Sequence, residues 1–197
     1  MYYVLRCHGP DDADELMMFS YKRDHPRRSW ASGRRFSDDP NDPPHRRRPP
    51  EPIRLEVKEG YENGVPLEFY DTPAPIMTKR LFEALRSGGV DNIDSYEVEL
   101  VDPINDRVIT DYVAFNLIGA VAAADLDKSV FDPLVPERMI SMDFDSVTVS
   151  DDATHGALMF RLAQSVNAIL VHQRIKDHIE ASGIDTLMFI PPEEWAG

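Results

Sequence analysis

Residues 76–93 read IMTKRLFEALRSGGVDNI, and residues 170–187 read LVHQRIKDHIEASGIDTL. Aligned without a gap, the second segment starts 94 positions after the first and repeats its apolar, glycine and aspartate positions. Apolar residues recur every four positions, as at Leu81 and Leu85, which is the spacing of one helix face. A glycine ends the apolar pattern in both segments, as is typical of helix C-termini. Each copy therefore predicts a short helix, a glycine stop and a strand.

The ends of the two helices carry different signals. Thr78 is the predicted N-cap of the first helix, and Gly88-Gly89 is its predicted stop. In the second copy, His172 stands where a small hydroxyl residue would be the expected cap, and Gly183 is the stop. The repeat therefore predicts a duplicated scaffold rather than a duplicated active site.

The other predicted elements are mostly strands. They alternate apolar and polar residues or are rich in β-branched and aromatic residues, and they cover 1–6, 53–57, 96–101, 112–123, 146–150, 158–162, 168–171 and 186–190. The uniformly apolar segment 112–123 predicts one buried central strand, with a helix starting at Ala120 as the alternative. Residues 11–22 fit a short helix or a strand. Because strands outnumber short helices, we expect an α+β fold with a mixed, mostly antiparallel sheet.

The length predicts a single domain spanning 1–197, interrupted by an Arg/Pro-rich loop at about 23–52. Residues 23–52 contain eight arginines and seven prolines. Proline removes backbone donors and fixes φ, so regular structure is not expected there. We expect this loop to pack on the body through Trp30 and Phe36.

The charge is acidic and unevenly distributed. The net charge is −14, yet residues 1–60 hold 12 basic against 11 acidic residues, and 61–197 hold 9 against 24. An acidic body repels nucleic acid and anionic lipid and attracts a basic protein, so neither nucleic acid nor membrane is an expected partner. The alternative is that the acidity serves solubility alone. The candidate partner-binding residues are acidic and lie between the two repeats: Asp125, Asp127, Asp143, Asp145, Asp151 and Asp152.

No catalytic or cofactor-binding signature accompanies these residues. Cys7 is the only cysteine, which excludes an intrachain disulfide, and neighbouring strand residues such as Cys7 and His8 point to opposite faces. An EF-hand loop starting at Asp143 would need glycine at Thr148 and glutamate at Thr154. H-E-x-x-H, G-x-S-x-G and glycine-rich phosphate motifs are absent from the sequence. We therefore predict a protein that is not an enzyme and holds no cofactor or metal.

The spaced pattern resembles bacterial immunity-protein family eleven, formerly described only as a domain of unknown function. The likeness covers roughly residues 50–190. It rests on residues 75–78 with the following helix and glycine, on Tyr112, Asn116, Asp125 and Ser129, on residues 160–162, on the second helix-glycine-strand unit and on a W-x-x-G element at 30–33. The resemblance implies a cytoplasmic protein of a polymorphic toxin system that binds and neutralises its cognate toxin, and it carries no active site. The absence of a visible signal peptide or long apolar span fits a cytoplasmic location.

Two other functions remain open from the sequence. One is an enzyme whose site combines Cys7 with a histidine and an aspartate from elsewhere in the chain. The other is an accessory protein that docks a partner through the Arg/Pro-rich loop. The sequence leaves the oligomeric state open.

Overall fold

The computed structural model describes residues 1–7, 9, 15–21, 30–36, 49–132 and 142–197. These residues form three sheets with mostly antiparallel pairing and two helices, which is the expected α+β fold. The strands are β1 Tyr2–Cys7, β2 Phe19–Tyr21, β3 Ile53–Val57, β4 Phe69–Tyr70, β5 Ile76–Thr78, β6 Ile93–Asp102, β7 Arg107–Ile109, β8 Tyr112–Leu117, β9 Ala120–Val121, β10 Val130–Phe131, β11 Phe144–Ser146, β12 Met159–Leu162, β13 Ser165–His172 and β14 Leu187–Ile190; the helices are α1 Lys79–Gly88 and α2 Gln173–Ala181.

The two sequence repeats form two matching halves. One sheet contains the strand order β6-β8-β5-β4, and another contains β14-β1-β13-β12. We call β4, β5, α1, β6 and β8 the first half, and β12, β13, α2, β14 and β1 the second half. The amino-terminal strand β1 therefore occupies in the second half the place that β8 occupies in the first.

The registers of the two halves also match. Thr78 pairs with Tyr112 in the first half, and His172, 94 residues after Thr78, pairs with Tyr2 in the second. At the other end, Ile93 pairs with Leu117, and its counterpart at position 187 pairs with Cys7. The repeat is thus a repeat of strand pairing as well as of helix pattern.

Alternating side chains build three apolar layers. The central core lies between the two sheets and contains both helices, with Leu85 and Ile179 fully buried at matching positions. The outer face of the first half's sheet is covered by Trp30 and Phe36, whose rings contact Tyr96 in an edge-on and a tilted arrangement, respectively. This packing agrees with the expected contact of the Arg/Pro-rich loop, whose residues 23–29 and 37–48 lie outside the described residues. The third layer covers the outer face of the second half's sheet.

Polar contacts join the two halves of the molecule. Glu68 is buried and accepts hydrogen bonds from Thr78 and Arg80 of the first half and from Thr186 of the second. Ser87 on α1 lies 2.9 Å from the His178 ring nitrogen Nε2 on α2. The Ser87–His178 contact joins the two helices, and Glu68 joins the start of α1 to the residue before β14.

The helix ends follow the sequence signals, with two differences: the cap at His172, and the end of α2, whose C-cap is Ser182, one residue before Gly183. The Thr78 hydroxyl accepts from the Leu81 N–H, and Gly89 adopts the predicted left-handed conformation. His172 also acts as a cap, because its ring Nδ1 accepts from the Arg174 N–H at 3.2 Å. A neutral imidazole therefore replaces the expected hydroxyl.

Two strand predictions differ from the structure. Segment 112–123 is not one strand, because Gly119 has φ +104° and separates β8 from β9, which pairs in the other sheet with β12. The alternative helix from Ala120 is wrong for the same reason, since Ala120 and Val121 form β9. The predicted strand 146–150 lies mostly in irregular chain after β11. Within segment 11–22, residues 19–21 form a strand, while 11–14 and 22 lie outside the described residues.

Candidate functional site

The candidate partner-binding residues lie on one irregular ribbon of two antiparallel segments. We call residues 123–132 and 142–152 the acidic ribbon. Backbone contacts run along its whole length: Ala123 accepts from Ser150, the Asp125 N–H donates to Thr148, and the Asp132 N–H donates to Asp143. β10 and β11 pair within it. Six aspartates that are up to 27 positions apart in sequence are therefore carried by one surface element.

The inner side of the ribbon fixes it to the second half. Phe144 and Val147 are buried in the outer core with Phe160 of β12 and Trp195. Two backbone hydrogen bonds add to this packing. The Gly197 N–H donates to the Phe144 carbonyl at 2.9 Å, and the Phe144 N–H donates to the Gly197 carbonyl at 3.3 Å. The ribbon is therefore held on a packed support.

The outer side presents the carboxylates to solvent. Asp127, Asp143, Asp145, Asp151 and Asp152 are exposed, whereas Asp125 is partly buried. Among the described residues, the only ion pair on these six aspartates joins Asp125 to Lys128 at 2.7 Å. The hydrogen bond from Lys128 lowers the pKa of Asp125. Negative charge on the ribbon is thus largely uncompensated by the described part of the chain.

Asp125 differs from the other five in having a structural role. Its carbonyl accepts from the Ser129 N–H at 2.9 Å and from the Ser129 hydroxyl at 2.7 Å. Ser129 Oγ in turn accepts from the Thr148 N–H across the ribbon. The turn at 125–129 therefore joins the two segments, and Asp125 is a poor choice for testing binding alone.

Two large apolar side chains lie among the carboxylates. Leu126 is 37% exposed and Val130 is 55% exposed. Apolar residues surrounded by charge are typical of protein interfaces, whose centres are less charged than their rims. Sequence reasoning missed both residues, since their exposure depends on the register of the ribbon.

A cleft of about 460 Å³ opens at one end of the ribbon. Val149 and Asp151 form its ribbon side, and the residues before and within β1 and after β14 complete it: Met1, Tyr2, Tyr3, Pro191, Pro192 and Glu193. Its lining is polar and apolar in about equal parts, and its two acidic residues, Asp151 and Glu193, are exposed. Sequence reasoning missed the cleft because it combines three segments that are distant along the chain.

A second concave region of about 430 Å³ lies between the loop at 62–66 and the turn and strand at 105–109, and it includes Glu62, Asn105 and Arg107. The fully buried Asp102 accepts from the Asn105 side chain at 2.9 Å and from Arg107 Nε at 2.7 Å. Burial opposes ionisation of Asp102, yet these hydrogen bonds and the Arg107 charge hold its pKa below the usual range. Arg107 also donates to the Glu62 carbonyl. This network fixes the turn between β6 and β7.

Cys7 occupies a different environment from that of a thiol nucleophile. Its Sγ donates to the Phe69 carbonyl at 3.3 Å and accepts from the Phe69 N–H at 3.2 Å. Burial raises the pKa of the Cys7 thiol to about 12, so the thiol is protonated at neutral pH. His8 lies outside the described residues.

The residues that carry the family resemblance hold segments of the fold together. The Asn116 side chain donates to the Arg34 carbonyl at 2.7 Å, and the Gly119 N–H donates to the Gly33 carbonyl at 2.8 Å. Gly33 also has φ +67°, and a Cβ there would lie 2.8 Å from the Ala120 nitrogen. Arg161 is buried and donates to Asp71 at 3.0 Å. Each of these contacts joins elements that are distant in sequence.

No family model matches the chain, and no curated protein matches it in sequence. Within the ranges that the structure describes, no helix has the length and apolar character needed to cross a bilayer. Among those same residues, no cluster of three or more histidine, cysteine, aspartate or glutamate side chains is arranged to hold a metal ion.

Proposed function

We propose that this protein is a cytoplasmic immunity protein that binds a basic cognate toxin through the acidic ribbon and neutralises it. The observation that carries the proposal is the ribbon itself: five exposed aspartates on one packed support, none of which forms an ion pair within the described residues, while the sixth, Asp125, pairs with Lys128. The resemblance of the sequence pattern to an immunity-protein family supports the same function. The two exposed apolar residues supply the less polar contacts that charged surfaces alone lack.

The physical advantage of the ribbon is rapid capture. Complementary charge steers two proteins together and raises association rates well above those of neutral surfaces. An inhibitor that must reach a toxin before the toxin reaches its target depends on that rate. A charged surface held on a packed support suits this task.

The first experiment is co-expression with the product of the adjacent gene. We expect that product to arrest growth alone, to be tolerated with this protein present, and to copurify with it. A product that is harmless alone, or that stays toxic without binding this protein, would overturn the proposal.

The second experiment locates the binding surface with two variants of equal charge change. The ribbon variant replaces exposed aspartates by asparagine at positions 127, 143, 145 and 152. The control variant makes four equivalent neutralisations on exposed residues outside the ribbon: Glu59→Gln, Glu83→Gln, Asp91→Asn and Asp185→Asn.

We expect the ribbon variant to bind the toxin at least about tenfold more weakly and the control variant to retain its affinity within about threefold. Isothermal titration calorimetry measures both, and circular dichroism shows that both variants are folded. Equal loss in the two variants would mean that net charge, and not the ribbon, drives binding.

A further inference from the structure

The cleft at the end of the acidic ribbon has the properties of a pocket for one cationic side chain. Its volume of about 460 Å³ lies within the usual range of ligand pockets. Met1, Val149, Pro191 and Pro192 supply apolar walls, and these walls suit an aliphatic chain rather than a bare ion. Volume and wall chemistry together set this cleft apart from the open ribbon surface.

The acidic residues of the cleft favour a positively charged ligand. Asp151 and Glu193 are the acidic residues that line the cleft, the first from the ribbon and the second from the chain after β14. Within the described part of the chain, neither carboxylate forms an ion pair with a lysine, an arginine or the amino terminus of Met1, which also lines the cleft. Lysine and arginine bury an aliphatic stem along apolar surface and keep the charged head at polar groups. The cleft offers both kinds of contact.

The position of the cleft connects it to the ribbon. Val149 and Asp151 belong to the ribbon and also form one wall of the cleft. A protein lying on the ribbon would therefore extend over the cleft opening. Buried anchors that fill a pocket dominate many interfaces, and arginine is enriched among them.

We propose that this cleft receives a lysine or arginine side chain of the partner, and this inference rests on the function proposed above. The carboxylates of Asp151 and Glu193 bind the cationic head, and the walls formed by Val149 and Pro191-Pro192 contact the aliphatic stem. The ribbon supplies long-range attraction, and the cleft supplies the position-specific contact. A free amine of the same chemistry is the alternative occupant that the test separates.

The test uses capped amino acids and needs no toxin. N-acetyl-arginine methylamide and N-acetyl-lysine methylamide are titrated into the untagged protein, because Met1 lines the cleft. Backbone amide shifts at Tyr3, Asp151 and Glu193 are followed by NMR. We expect saturable shifts with a Kd on the order of 1 mM, as is typical of a fragment of this size.

Two uncharged probes and two variants serve as controls. Capped norleucine keeps the stem without the charge, and capped citrulline keeps the shape of arginine without the charge. The cleft variant combines Asp151→Asn with Glu193→Gln, and the matched variant combines Asp143→Asn with Asp145→Asn at the far end of the ribbon. We expect the uncharged probes not to saturate, the cleft variant to bind capped arginine at least about tenfold more weakly and the matched variant to change affinity by less than about threefold.

Several results would overturn the inference. Unsaturated shifts with both charged probes, equal binding of norleucine, or equal weakening by the two variants would each exclude a cation pocket. Saturable binding of capped arginine, together with unchanged toxin affinity in the cleft variant, would show that the occupant is a free amine and not a partner side chain. Failure of the proposed function is seen separately, because the ribbon variant is measured against the toxin and the cleft against capped amino acids.

Discussion

The two halves of the molecule share a four-stranded arrangement and differ in what is added to it. The first half has β2, β3 and β7 in addition, whereas the second half has the acidic ribbon and the cleft. The four-stranded arrangement is the same in both, including the strand registers and the place of the helix in the chain directly after the matching strand. The additions on the first half extend one sheet and bury Trp30 and Phe36. Those on the second half expose charge. The repeated part is therefore scaffold, and the difference between the halves is where binding can arise.

The largest loss of stability is expected from truncating the buried side chains at matching core positions of the two helices. Leu85→Ala and Ile179→Ala each remove a fully buried side chain from the central core. We expect each to lower the free energy of unfolding by about 2–5 kcal/mol, measured by urea denaturation. If the halves are equal scaffold, the two losses will be similar. A loss below about 1 kcal/mol at one position would show that only the other half stabilises the protein.

The next largest loss of stability is expected from breaking the hydrogen-bond network of Asp102 between β6 and β7. Asp102→Ala leaves Asn105 and Arg107 without their carboxylate, and we expect it to cost about 1–3 kcal/mol at neutral pH. Because the pKa of Asp102 is lowered on folding, its stabilisation is complete above the ordinary carboxyl pKa and is lost as pH falls through the lowered value. The difference between wild type and variant should therefore shrink in acid. A difference that is constant from pH 7 to about pH 2 would contradict this role.

Local sequence patterns predicted the parts of this fold that depend on neighbouring residues and missed the pairing of strands that are distant in the chain. The two helices, the Thr78 cap and the Gly89 stop depend on neighbouring residues, and they appear as expected. Gly183, with φ +78°, lies one residue beyond Ser182, the C-cap of α2. The place of β1 in the second half depends on residues more than 160 positions away, and local patterns do not report such pairing. The one available signal was Tyr2 at the start of β1, which matches Tyr112 at the start of β8.

The candidate site shows the same limit. Composition and charge pointed to the six aspartates, and the structure places them on one ribbon. The error in segment 112–123 arose because one apolar run serves two sheets, with Gly119 between them. The cleft could not be predicted, because Tyr3, Asp151 and Pro191 meet only through tertiary packing.

A smaller loss of stability is expected from removing the Thr78 cap of α1. Thr78→Ala removes the acceptor for the Leu81 N–H and a donor to Glu68. We expect a loss of about 1 kcal/mol in thermal or urea unfolding. Thr110→Ala, at an exposed position between β7 and β8, is the control and should stay within about 0.5 kcal/mol of wild type. Equal effects would mean that the Thr78 cap contributes nothing measurable.

The smallest effect concerns the cap that differs between the halves. His172 accepts the Arg174 N–H only while its ring is neutral, and burial, followed by the nearby amino terminus, lowers its pKa. Stability from this cap is therefore present above the unfolded-state pKa of about 6.5 and is lost as pH falls through the lower folded value. We expect His172→Thr to match wild type at pH 7.5 and to exceed it by up to about 1 kcal/mol near pH 5. A wild type that keeps its relative stability in acid would exclude a neutral-ring cap.

The most direct test of the acidic ribbon is the salt dependence of association with the toxin. Stopped-flow association rates are measured for wild type, the ribbon variant and the matched control variant between about 0.02 and 0.5 M salt, where the Debye length falls severalfold. We predict that the rates of wild type and control fall at least about tenfold across this range, while that of the ribbon variant starts lower and falls less than about threefold. Three parallel salt profiles would contradict the claim that the ribbon captures the partner.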